Sequence, residues 1–224
     1  MRMMAVFEKD IRIRHIGHLD IQRAVQRGLR RSGLPVAYSN GFNPHILVTF
    51  ASALATGAYG KREIMDVTLA EPVSENEFLQ RMNDAMPPEL KLIQARGIGD
   101  RHEAMMAMLK AASYEIKIYD SLLAGRLIAA IPALLELKSV PAVRKTKSGL
   151  KECDIRPLIY NLSGSNDMIY ATLALTEKET CKPDMLINAL NAICGTDESV
   201  RTLVCRNALL GENDKGMLVP LEQL

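Results

Sequence analysis

The chain has 224 residues, 48% hydrophobic and 24% charged, enough to bury the core of one large domain or two small ones. Its net charge of +2 argues against a histone-like polyanion binder. Its four cysteines, with no CxxC pair among them, exclude metal-cluster spacing and point away from a disulfide scaffold. The charge is unevenly spread: residues 1–35 hold eight Lys/Arg against three acidic residues, so this stretch carries +5 and the remainder −3.

In chain order, residues 2–8 alternate weakly and predict a strand. The start, MRMMAVFEKD, has neither the apolar run nor the cleavage site of a signal peptide. His18 to Ser32 predicts a helix, with Ile21, Val25 and Leu29 on one face and Gly33 as the residue that ends it. A turn-rich loop from Pro35 to Pro44 follows, then strands at Ile46–Phe50 and Glu63–Leu69. Ser74 with Glu77 three residues on has capping-box spacing and opens a second helix, which Pro87-Pro88 stops. Leu90–Ala95 alternates as a strand, completing β-α-β-β-α-β.

The second half repeats the order more loosely. A strand is expected at Tyr114–Tyr119 and a helix at Leu122–Leu137, kinked or restarted at Pro132. Val140–Thr146 predicts a strand, and Asp154 caps a short helical insert through Leu162. A strand at Met168–Leu175, a helix at Pro183–Cys194 and a strand at Val200–Cys205 complete it. The expected class is α+β, with tandem ferredoxin-like βαββαβ halves and antiparallel sheets. The halves would cover residues 1–98 and 112–224; one merged α+β sheet system is the alternative. The most apolar stretch, residues 121–135, is too short to span a bilayer and carries Arg126 and Pro132. A reduced, cytoplasmic protein is expected.

Chemistry gathers between Arg12 and Phe50. Arg23, Arg27 and Arg30 share a helix face, with Arg31 adjacent and Arg12 and Arg14 upstream. Guanidinium forks match phosphate oxygens, so this face reads as a phosphate-tracking surface; a solvated face is the structural alternative. His15, His18 and Asp20 are close enough in sequence for a divalent metal or for acid–base work with His45, although each histidine alone is more simply structural. The loop SNGFNPH places Tyr38 and Phe42 beside Asn40 and Asn43. Aromatics beside cationic grooves stack on nucleobases, whereas a lone loop Phe more commonly plugs the core. A second basic cluster, Lys138, Arg144, Lys145, Lys147 and Lys151, surrounds a hairpin tip at Ser148-Gly149 and reads as a solvated loop or a second nucleic-acid contact. His102 reads as structural, and the cysteines as small core residues, Cys181 before Lys182-Pro183 being the one possible exception.

The block GHLDIQRAVQRGLRRSGLPVAYSNGFNPH, from Gly17 to His45, resembles the signature of the bacterial radical-SAM-linked proteins, a domain family of unknown function. Glu63 and Asp66 match the later acidic positions, and the likeness extends through DIRPLIYNL and the KPDMLINAL helix. Gly17 stands where that family has Ser, Ile46 replaces a second proline, and Ala55-Thr56-Gly57 replaces a turn with Pro; the His18, Asp20 and His45 set is intact. The resemblance implies a chain working beside a radical-SAM protein on an RNA.

Three functions follow as expectations. The first is an accessory domain that binds RNA of the tRNA or rRNA type, with no cofactor of its own, and presents it to a radical-SAM partner. The second is an RNA-processing or modifying enzyme using His18, Asp20 and His45, by analogy with RNA-repeat endonucleases of tandem ferredoxin-like fold. The third is a protein-interaction module.

Overall fold

The structure, a computed structural model, describes residues 1–146, 149–196 and 199–224. It is a mixed α/β protein whose strands pair antiparallel wherever their register is described. Two compact units divide the chain: residues 1–109 with 208–224, and residues 110–207.

The first unit begins with β1 (Arg2–Lys9), α1 (His18–Arg31), β2 (Val48–Phe50), β3 (Tyr59–Thr68), α2 (Glu75–Ala85), β4 (Leu92–Ile98) and the single turn α3 (Met105–Met108). β1 lies between β4 and β3, and β2 takes the other side of β3 over Val48–Phe50. Side chains alternate across a strand, and here Met3, Ala5 and Phe7 of β1 join Met65 and Val67 of β3 under the helices. Ile21, Val25 and Leu29 of α1 and Phe78 and Met82 of α2 close that core. Ser74 Oγ accepts from the Glu77 N–H at 3.2 Å, as the capping spacing predicts, but the Glu77 carboxylate turns outward to Arg81 at 2.9 Å instead of closing the box. Gly33 has φ +65°, the left-handed backbone expected just past a helix end.

The second unit runs β5 (Leu109–Ile118, beginning one residue earlier in the first unit), α4 (Ser121–Ala129), α5 (Ile131–Glu136), β6 (Pro141–Thr146), β7 (Gly149–Asp154), β8 (Ile159–Ser165), β9 (Met168–Ala174), α6 (Pro183–Ile193) and β10 (Thr202–Glu212). Pro132 sits in the first turn of α5, where its missing N–H costs nothing, so the expected helix is broken into two. The strand order is β10-β5-β9-β8.

Two expectations for this half are corrected. The strand expected at 140–146 leaves the main sheet and pairs with β7 as a separate hairpin. The helical insert after Asp154 is one 3-10 turn, Arg156–Leu158, followed by β8. Pro157 fits the first turn of that short helix, and the chain then extends through Ile159 and Leu162 into the sheet against β9. The turn back into β9 uses Asn166 at φ 55°, a conformation Asn tolerates better than most residues. Lys147 and Ser148 of the basic hairpin tip lie outside the described residues. The chain returns to the first unit within β10 and ends with β11 (Leu218–Pro220), paired to β10.

Candidate nucleic-acid interface

Helix α1 buries Ile21, Val25 and Leu29 and leaves Arg23, Arg27, Arg30 and Arg31 exposed. The four arginines are not equivalent. Arg23 is held by Asp20 at 3.0 Å, one turn earlier. Arg31 donates to the Ala85 carbonyl at the end of α2. Arg12 bridges Asp10 at 3.0 Å and Glu89 at 3.4 Å, and Arg14 donates to the Ile11 carbonyl at 3.1 Å. The Arg12 backbone N–H and then its guanidinium hold the Asp10 carboxyl below its ordinary value, and the same contact raises the Arg12 pKa. Arg27 and Arg30 make no ion pair or side-chain hydrogen bond among the described residues.

The loop after α1 is hydrogen-bonded at its neck and open at its tip. Ser39 N–H donates to the His45 carbonyl at 2.9 Å, the His45 N–H donates to Ser39 Oγ at 3.1 Å, and Ser39 Oγ meets His45 Nδ1 at 2.8 Å. Tyr38 bridges Ile46 through the backbone and is half exposed at 48%. Gly41, at φ +115°, makes the turn that the Asn-Gly pair predicts. Phe42 does not plug the core: its side chain is fully exposed, at 111% of the reference area, with Asn40 and Asn43 exposed on either side.

The histidines occupy different surroundings. His18 is half-buried and stands edge-on to Phe50, with ring centres 5.3 Å apart. With Lys9, Ser52 and Glu63 it lines a cavity of about 10 Å³, space for no more than one water. His45 lines a separate groove of about 400 Å³ together with Arg2, Asp66 and His102. Asp20 lines neither cavity and turns to Arg23, while His15 is exposed. Among the described residues no three His, Cys, Asp or Glu side chains come together as a metal site. Cys181 is a core residue: burial, with Asp184 and Cys153 adding to it, pushes its thiol up to about 12, far from the range of a reactive thiolate.

Lys9, Glu63, Asp66 and Arg2 were not among the site residues expected from sequence, yet all four charges sit in strands and three of them are at most 7% exposed. The available signal was a charge inside an apolar strand, as in EIMDVTL. Among the described residues, no helix is long and apolar enough to cross a membrane.

Fold and surface together define a two-unit α/β protein whose first unit presents a cationic helix and a fully exposed aromatic loop tip. The chain belongs to the bacterial family described as "Uncharacterized protein conserved in bacteria (DUF2344)", whose profile matches residues 2–192. Comparison with curated proteins gives no match.

Proposed function

We propose that this protein is an accessory RNA-binding domain, of the kind that engages tRNA or rRNA, and that it works with a radical-SAM partner in RNA modification. The observation that carries the reading is the exposed Phe42 at a fixed loop following a helix whose Arg27 and Arg30 are uncommitted. Phosphate attraction and base stacking are the two contributions that single-stranded RNA binding needs. The radical-SAM partner rests on the sequence block from Gly17 to His45; radical chemistry and its cofactor belong to that partner in this reading. We also take the fold as tandem ferredoxin-like. What supports it is the strand order: β4-β1-β3 with β2 beyond β3 in one unit, and β10-β5-β9-β8 in the other. Both are the fourth-first-third-second order of a βαββαβ sheet.

The catalytic alternative needs His18, Asp20 and His45 to meet over one ligand. Because His18 and His45 line separate cavities, the accessory reading has the better support.

The test is binding of total tRNA and rRNA across a salt series. Charge reversal of Arg27 and Arg30 together is expected to flatten the log–log salt slope by about 2, one unit for each lost phosphate contact. Phe42→Ala is expected to weaken binding by about 1–3 kcal/mol. Weak binding with no salt dependence would reject the reading.

A further inference from the structure

Strand β8 is the outer strand of the second unit's sheet, paired on one side with β9. The register fixes which of its backbone groups that pairing takes. Ile118 N–H donates to the Asp167 carbonyl at 2.8 Å across the β5–β9 ladder, so the odd-numbered residues of β9 direct their groups to β5. Met168, Tyr170 and Thr172 therefore direct theirs to β8, where they meet Ser165, Ser163 and Asn161. The N–H and C=O groups of Leu162 and Gly164 point the other way, off the edge of the sheet. They make no hydrogen bond among the described residues.

Proteins blunt such edges with lysine, proline, bulges or covering groups. β4, the outer strand of the first unit, follows that rule. The Asn83 side chain accepts from the Leu92 N–H at 2.8 Å and donates to the Leu92 carbonyl at 2.9 Å, and Glu75 accepts from the Gly97 N–H at 2.8 Å. β8 is treated differently. Its seven residues, IYNLSGS, include no charge and no proline, and Tyr160, Asn161, Ser163 and Ser165 are exposed. A bulge between Ile159 and Asn161 interrupts the start of the strand and leaves Asn161–Ser165 regular.

We infer that β8 pairs antiparallel with β8 of a second copy of this chain, about a two-fold axis at Ser163. Leu162 of each strand then exchanges both hydrogen bonds with Gly164 of the other, and Ser163 faces Ser163 at the close spacing between them. The strand is complementary to itself. Asn161 meets Ser165, so no like charges oppose, and the pairing brings the Arg156 end of one strand towards the Asp167 end of the other. Capture of a foreign peptide draws its specificity from side-chain pockets, and Asn161, Ser163 and Ser165 are too short to wall one. Backbone bonds at Leu162 and Gly164 between short side chains fit a small, readily reversed interface. This pairing stands apart from the RNA-binding reading.

Sedimentation velocity of the full chain from micromolar to millimolar concentration is expected to show the mass rising from 24.8 kDa towards twice that value. Over the same range, hydrogen exchange is expected to find the Leu162 and Gly164 amides protected only where the dimer is populated. Ser163→Lys sets two ammonium groups face to face and is expected to weaken dimerisation at least about tenfold. Ser163→Glu is expected to do the same, and an equimolar mixture of the two variants to recover the association that each has lost. The exchange pattern of the unsubstituted chain carries the test if both charged variants unfold. A monomer at every concentration overturns the proposal. So does a dimer that both charged variants form as before, or one in which the two amides stay unprotected.

Discussion

Lys9, 3% exposed, ends β1, and the carbonyls of Arg14 and Ile16 at 3.0 Å and of Ala58 at 3.1 Å accept from its ammonium. The side chain thus ties the segment ahead of α1 to the start of β3. Lys9→Met is expected to cost about 2–4 kcal/mol in urea unfolding, because buried carbonyls lose a charged donor; a loss under about 0.5 kcal/mol would show that water replaces it freely. Asp154 is a surface counterpart. The backbone N–H groups of Val140 and Arg156 donate to it at 2.7 and 2.9 Å and hold its carboxyl below the ordinary 3.8. Its folded midpoint is lowered, so its stabilisation is present above pH 3.8 and is lost as pH falls through the folded midpoint. Carboxyl NMR titration checks this, and Asp154→Asn is expected to remove that part of the acid sensitivity. The arginine face was legible because helical spacing fixes which residues share a side. The buried charges were not, since strand alternation reads a charged residue as solvent-facing and cannot supply the partner distant in sequence that pays for burial.

At the scale of elements, the two helices of the first unit meet closely. A Cβ on Gly28 of α1 would fall 2.3 Å from the Met86 sulfur, just past the end of α2. Gly33 sits beyond the same helix in left-handed backbone, and a Cβ there would also approach Arg81 Nη2 at 2.9 Å. Gly33→Ala is expected to lower stability by about 1–2 kcal/mol, measured as a shift in the urea midpoint with an unchanged slope; Gly33→Asn should recover part of the loss. Helix ends were readable because Gly33, Ser74 and Pro132 carry local stereochemistry that acts wherever they occur. Strand partners were less so. β8 was missed because Asp154 and Pro157 imitate the start of a helix, and the sequence alone does not say whether residues 140–146 pair with the sheet or with the hairpin partner next to them.

For the molecule as a whole, the C-terminal segment completes the first unit. Arg62 of β3 pairs at 2.6 Å with Glu222, which is 3% exposed and whose other oxygen is buried with no hydrogen-bond partner among the described residues. Arg96 donates to the Leu224 carbonyl at 2.7 Å, and a Cβ on Gly211 would collide with Leu224 and Leu221. Arg62→Met is expected to destabilise by up to about 3 kcal/mol, because it strands a buried carboxylate. Thermal unfolding checks this, and the double change with Glu222→Leu should restore much of the loss. The interrupted first unit also bears on synthesis. Residues 1–109 can form their own hydrogen bonds early, but the last 17 residues of that unit, 208–224, emerge after all of the second. On the ribosome, the inserted unit can therefore reach its native state while the surrounding one still waits for its closing segment, reversing the usual N-terminal-first order of domain folding.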